Sequence, residues 1–298
     1  LVAPINKGNT PGTITGSFYV DATGRANYSV PVKLPPGIRG LTPSLSISYS
    51  GSSANGLLGV GWSISGISSI TRCAKTISQD GKIGIVSLSP DDALCMDGSR
   101  LLGVGTNEYK TEIESFKKIV STSTMAGYPD SFTVTTKDGV VYKYGLDANS
   151  RLTASGASGK VLTWMVSSIS DVDGNAIKFS YLKNAGNFPA STSTGALATE
   201  VVPDKIEYGG GTQPLTTVQF KYASGRADWD VNTVAGSRFW TTKLLDKIEV
   251  NNNASLVRQY ELVYTKSGKG KDATEAGFNP SLLANIKECG IDANSNKL

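Results

Sequence analysis

Three Asp-Gly pairs, at Asp97-Gly98, Asp138-Gly139 and Asp173-Gly174, each stand between two short segments in which apolar and polar residues alternate. Asp-Gly is among the strongest local signals for a chain reversal, because turns that match the twist of paired strands need backbone torsions that glycine adopts at little cost. The flanking segments are Ala93 to Leu102 around the first pair, Ser131 to Thr136 and Val140 to Tyr144 around the second, and Lys160 to Ser170 and Ala176 to Leu182 around the third. A chain punctuated in this way predicts neighbouring antiparallel strands, an all-β meander.

The same pattern extends along the chain. Ser44 to Ser50 (SLSISYS) places Leu45, Ile47 and Tyr49 on one face and four serines on the other. Ile14 to Val20 and Ala26 to Leu34 flank the reversal DATGR, and Pro35-Pro36-Gly37 then ends the pattern. Further strands are expected at Lys82 to Leu88, Lys205 to Tyr208, Leu215 to Tyr222, Phe239 to Val250 and Leu256 to Tyr264. Leu282 to Cys289 reads as a strand or a short helix. Thr111 to Val120 is ambiguous: Thr111 with Glu114 forms a capping-box pattern, yet its neighbours favour a strand. Residues 1–13 read as a surface lead-in and 14–298 as one β-rich module. The Ala/Ser/Thr/Gly-rich stretch 184–199 is a candidate long loop or subdomain boundary.

Asn55 to Cys73 (NGLLGVGWSISGISSITRC) joins a glycine-dense corner to an alternating strand, with a bulge expected at Gly66 and Trp62 expected in the core. This stretch, with the preceding GSFYVDATGRANYSVPVKLPPGIRGLTPSLSISYS and the later DALCMDGSRLL, resembles the N-terminal module shared by the Salmonella virulence plasmid B protein and the B components of insecticidal toxin complexes. The match runs from about Gly16 to Cys73 and continues through Ala93 to Leu102. Tyr144 to Ser155 (YGLDANSRLTAS) resembles the tyrosine-aspartate repeat of Rhs proteins, although Leu146 separates Gly145 from Asp147 and Ser150 stands where a glycine is usual. Ile169 to Tyr181 has the same turn-then-strand character. The resemblance implies a spiralling antiparallel sheet that forms part of a shell around a cargo polypeptide. It also implies a secreted bacterial toxin component, with a downstream effector domain, a C-component protein or other toxin-complex subunits as partners.

Histidine is absent from all 298 residues, so no Ser-His-Asp or Cys-His machinery and no imidazole metal site exists. Three cysteines without CxxC spacing are too few for a disulfide framework. Cys73 and Cys95 fall at the ends of two expected strands, which admits either a bridge or two small buried thiols. The net charge of +4 comes with no basic cluster beyond Lys266, Lys269 and Lys271 in a Gly/Ser-rich loop, so nucleic acid is not an expected partner. No run reaches the ~18 apolar residues of a membrane helix.

Several residue sets have the composition of a site without its full pattern. Asp171, Asp173 and Asn175 alternate like calcium ligands, but no bidentate Glu follows at the required distance, which favours a hairpin turn. Ser115 and Lys118 have S-x-x-K spacing without the companion motifs of serine acyl enzymes. Glu112 and Glu114 form E-x-E and Ser121-Thr122-Ser123 forms S-T-S, as in ADP-ribosyltransferases, but in the reverse order; the glutamates are expected on a solvent-facing strand edge. Trp229, Phe239 and Trp240, with Asp228 and Asp230, are the best cluster for a sugar platform, against the simpler reading of buried strand aromatics. Trp164 is expected in the core. No catalytic, cofactor-binding or metal-binding residue is expected. The function anticipated is a noncatalytic scaffold, encapsulation or delivery module of a secreted toxin; the alternative is a cell-surface adhesin or glycan-binding β domain.

Overall fold

The aspartate-glycine reversals take two forms. In the computed structural model, Asp97 and Gly98 both adopt positive φ (49° and 84°) and connect Met96 to its cross-strand partner Ser99, a two-residue type I′ turn. The other reversals are one residue longer. Gly174 N–H donates to the Asp171 carbonyl and Asp171 N–H to the Asn175 carbonyl, and the same pair of bonds links Thr136, Gly139 and Val140. A third reversal of this longer kind spans Asp21 to Arg25. There the Asp21 carboxylate accepts from the Thr23 hydroxyl and the Arg25 and Thr23 amides, which hold it at about 2.

The structure describes residues 14–125, 128–154, 160–187, 197–210, 214–266 and 280–290. The lead-in 1–13, the middle of the 184–199 stretch, and Lys269 and Lys271 lie outside them. The described chain is almost entirely β. It divides into two compact units, one comprising Leu1–Gly66, Lys205–Asp230 and Thr241–Leu298, the other Ile67–Asp204 and Val231–Trp240.

The first unit begins with β1 (Ser17–Val20), β2 (Ala26–Pro31), β3 (Ser46–Ser50), the two-residue strands β4 (Asn55–Gly56) and β5 (Gly59–Val60), and β6 (Trp62–Ser65). β1, β2, β3 and β6 form an antiparallel sheet in that order. Its inner face carries Val30, Leu45 and Ile47, all buried as the alternation requires. Trp62 is half-buried rather than fully enclosed, packing on Tyr49 and edge-on to Tyr28.

The second unit contains β7 (Ser69–Cys73), a single helical turn α1 (Ile77–Asp80), β8 (Ala93–Met96), β9 (Ser99–Gly105), β10 (Glu108–Thr111), β11 (Lys118–Met125), β12 (Tyr128–Thr135), β13 (Val141–Tyr144), β14 (Arg151–Thr153), β15 (Val161–Ser170) and β16 (Ala176–Asn187). Each of β7 to β13 pairs antiparallel with the next, β13 pairs with β15, and β15 returns to β7. The ladder therefore closes on itself. β14 and β16 also pair with β15. The interior of the ring is filled by Ile70, Met96, Ile119, Phe132, Val134, Tyr144, Trp164 and Val166. Trp164, wholly buried, meets Phe132 edge to face at 5.1 Å between ring centroids. Closure leaves these strands no open edge within the ring and gives the aromatic residues an enclosed core.

After β16 come β17 (Leu197–Tyr208), β18 (Thr216–Tyr222), β19 (Asp230–Val234), β20 (Ser237–Thr241), β21 (Leu245–Asn252), β22 (Ser255–Lys266) and β23 (Ser281–Gly290). In the first unit the C-terminal half of β17 pairs with β18, β18 with β21, β21 with β22 and β22 with β23. In the second unit Ala198 and Thr199 of β17 lie parallel to Arg238 and Phe239 of β20.

Four local expectations change. The stretch from Trp62 to Cys73 is two strands in different sheets rather than one kinked strand, because Gly66, at φ +100°, turns the chain between them. Lys82 to Leu88 makes only the isolated bridge Lys75↔Gly84, since Asp92 accepts from the Ser87 and Ser89 amides and folds that segment into a loop. Thr111 to Val120 is neither one strand nor a helix. The Thr111 hydroxyl bonds the Ile113 carbonyl and Ser115, Phe116 takes φ +55°, and the chain loops before β11. Phe239 to Val250 divides into β20 and β21. Leu282 to Cys289 lies within the strand β23.

Candidate functional site

A buried polar constellation lies in the first unit, where the glycine-rich corner meets the loop after β18 and the start of β23. Asn55 and Gly56 belong to the corner, Arg226 and Asp228 to the loop, and Ser281 to β23. Arg226 and Asp228 are 8% and 6% exposed. Arg226 Nε donates to Asp228 Oδ1 at 3.1 Å and its Nη2 to Asp228 Oδ2 at 3.2 Å. Its Nη1 reaches the Gly56 and Lys243 carbonyls, and Nη2 also reaches Asn55 Oδ1. Asp228 Oδ1 further accepts from the Ser281 hydroxyl at 2.7 Å, and Oδ2 from Asn55 Nδ2 at 2.9 Å and the Ser281 amide at 2.8 Å.

Five donors thus converge on the two oxygens of one carboxylate. Burial by itself would raise the pKa of Asp228. The bonds from Arg226, Ser281 and Asn55 outweigh it and hold the carboxyl well below the usual range. A carboxylate so completely satisfied has no lone pair directed at a substrate and is a poor proton acceptor, so the constellation is suited to clamping chain segments rather than to acid-base chemistry. The corner is fixed from a second side, since a β-carbon on Gly59 would lie 2.1 Å from the Ser281 carbonyl oxygen.

Two other buried arginines act in the same way in the second unit. Arg72, facing the barrel interior, donates through Nε to the Val161 carbonyl at 2.7 Å and through Nη1 to the Ser89 carbonyl, with Asp92 Oδ2 at 3.4 Å. Its guanidinium carbon lies 5.6 Å from the Trp164 ring centroid. Arg100 on β9 donates to Asp80 Oδ2 at 2.5 Å, to the Ala74 carbonyl and to Cys73 Sγ at 3.2 Å. Each arginine carries loop carbonyls and a carboxylate onto a strand. Sequence reading missed all three, because nothing local distinguishes a clamp arginine from a surface one. The close Arg226-x-Asp228 spacing was the one available signal.

The other candidate residues lie in turns, loops, strands and core. Asp171 Oδ1 accepts from the Asp173 and Asn175 amides and Oδ2 from the Asn175 side chain, as a hairpin turn requires. Ser115 bonds Thr111, while Lys118 faces Glu108 at 3.7 Å on the surface. Glu112 and Glu114 lie on the loop between β10 and β11 rather than on a strand edge. Glu112 accepts from Gln79 and Glu114 from the Phe116 amide. Ser121 and Thr122 sit within β11, and Thr122 bonds Ser131 across to β12. Phe239 is core, packed with Leu88 and Ala154. Trp229 is 45% exposed and belongs to the other unit, and Asp228 is held in the clamp. Cys73 and Cys95 are bridged, and Cys289 is a free thiol. Among the described residues, no group of three or more His, Cys, Asp or Glu is placed to hold a metal ion, and no helix is long and apolar enough to cross a membrane.

The closed eight-stranded ring of the second unit and the clamped, glycine-cornered sheet of the first define a class of β-rich modules. Over 96% of its length the chain is similar to the crystal structure of TcdB2-TccC3, with a TM-score of 0.74 and 15% identity. It is also similar to the Photorhabdus luminescens Tc holotoxin pore, with a TM-score of 0.73 over 96% of this chain at 15% identity. In both cases it spans only 16% of the matched chain. The N-terminal domain of the effector protein SpvB from Salmonella typhimurium strain LT2 matches with a TM-score of 0.69 and 20% identity, over 88% of this chain and 99% of that domain. No curated protein sequence matches. Residues 20–235 match the family model of the Salmonella virulence plasmid 65kDa B protein, and the chain belongs to that family.

Proposed function

We propose that this chain is a noncatalytic wall segment of a secreted bacterial toxin, helping to house or deliver an effector polypeptide carried further along the same protein or by a C-component partner. The observation that carries this reading is the use of buried charge: Arg226-Asp228, Arg72-Asp92 and Arg100-Asp80 all bind loops to strands. Rigid walls need such clamps, whereas catalysis needs polar groups left available in a cleft. The filled interior of the eight-stranded ring supports a role as a building block, with any cargo space bounded by this domain together with others. No cofactor or metal enters the proposal. The likeness to a TcdB2-TccC3 structure supports a C-component type of partner and extracellular action.

Cryo-electron microscopy of the natural protein with its effector, combined with limited proteolysis, tests the reading. The expected result is this domain in a continuous β wall around a protease-protected effector. An effector that stays equally protected and equally delivered after deletion of residues 14–290 would overturn it.

A further inference from the structure

The sulfur atoms of the Cys73–Cys95 bridge sit in unequal surroundings. In the β7–β8 register Thr71 faces Cys95 and Cys73 faces Ala93, so the cysteines lie diagonally across two neighbouring strands. Ile70 and Arg72 of β7, and Leu94 and Met96 of β8, are buried, which places both cysteines on the outer face of the ring, where each is half-buried. Arg100 of β9 stands opposite Cys95 in register, yet its Nη1 donates to Cys73 Sγ at 3.2 Å. Its side chain is only 2% exposed and is fixed by the Ala74 carbonyl, Gln79 and Asp80. Gln79 in turn donates to Glu112. A held cation therefore touches one sulfur of the pair, with the Asp80 carboxylate on its other terminal nitrogen moderating its field.

A cation beside a sulfur favours the thiolate, and a disulfide opens fastest when the sulfur that departs is the better stabilised anion. We infer that Cys73–Cys95 is a reducible brace of fixed polarity: an external thiolate of the glutathione class attacks Cys95 Sγ, and Cys73 leaves as a thiolate held by Arg100. In the first step the new bond joins the reductant sulfur to Cys95, the Cys73–Cys95 bond breaks, and its electron pair stays on Cys73. A second reductant thiol then attacks the mixed disulfide. The sum is two protein thiols and one oxidised reductant dimer. Release removes the covalent tie between β7 and β8 beside the place where β7 closes the ring on β15.

The test uses the whole chain. Brief exposure to glutathione followed by acid quench and peptide mass spectrometry is expected to place the adduct on Cys95. In the reduced protein, iodoacetamide should alkylate Cys73 at lower pH than Cys289, which serves as internal reference. Arg100→Gln should slow reduction roughly three- to tenfold and bring the Cys73 profile up to that of Cys289. Asp80→Asn, which keeps Arg100 and removes its competing carboxylate, should shift Cys73 the other way and serves if the Arg100 variant fails to fold. Amide exchange on β7 should rise on reduction while that on β12 stays level. An adduct on Cys73 or shared equally, matching alkylation profiles, or unchanged exchange on β7 would overturn the inference.

Discussion

A β-carbon placed on Gly66 would lie 1.7 Å from the carbonyl oxygen of Ser44, and Gly66 holds φ at +100°. Both facts forbid a side chain at the point where the chain leaves β6. Gly66→Ala should therefore destabilise the protein by ~3 kcal/mol or more. Gly98→Ala shares the positive φ but meets nothing within 4 Å, and should cost only about 1 kcal/mol. Urea denaturation of the two variants side by side separates a steric collision from a torsional preference.

Removing the carboxylate of Asp228 leaves the Arg226 guanidinium buried without its anion. Asp228→Ala is expected to lose about 3–5 kcal/mol, measured by chemical denaturation at neutral pH.

Acid should reach the same clamp in the wild type. Because the folded pKa of Asp228 is depressed, its contribution is complete above the ordinary carboxylate pKa and is lost progressively as pH falls below about 4. Comparing the acid limbs of the stability profiles of wild type and Asp228→Asn checks this: the variant's limb should be shallower, since it no longer binds that proton on unfolding.

Trp164 is completely buried among Phe132, Ile70 and Arg72, and Gly145 leaves room for its ring. Trp164→Ala should cost about 3–5 kcal/mol. Ile85→Ala, at a side chain 85% exposed, should stay within about 0.5 kcal/mol. Thermal melts of both variants test the contrast between core and loop.

The Cys73–Cys95 bridge spans a sequence separation of 22 residues. The double substitution Cys73→Ser/Cys95→Ser should lower stability by about 3 kcal/mol, whereas Cys289→Ser should leave the denaturation midpoint nearly unchanged.

Strand identity was legible wherever alternation and turn chemistry agreed. SLSISYS buries Leu45 and Ile47 as its pattern demands, and Asp97-Gly98 forms the expected reversal. Expectations failed where side-chain hydrogen bonds overrode pattern. Asp92 gathers the amides of Ser87 and Ser89 and holds Lys82 to Leu88 out of the ladder, and Thr111 closes a loop where a strand was expected. Asp228 was legible only as a polar neighbour of Trp229 and of Arg226, because its other partners, Asn55 and Ser281, are 173 and 53 residues away.

By itself the sequence determined that the chain is built mainly of β-strands, where several hairpins reverse, that imidazole chemistry is impossible, and which family its N-terminal corner resembles. These follow from neighbours within a few residues, where torsional preference and side-chain alternation act. Only the tertiary structure decided that β15 returns to β7 and closes a ring, that Cys73 bonds Cys95, and that three arginines clamp loops to strands. Each of those depends on which distant segments desolvate one another, and burial of a charge or closure of a ladder is a property of the packed whole.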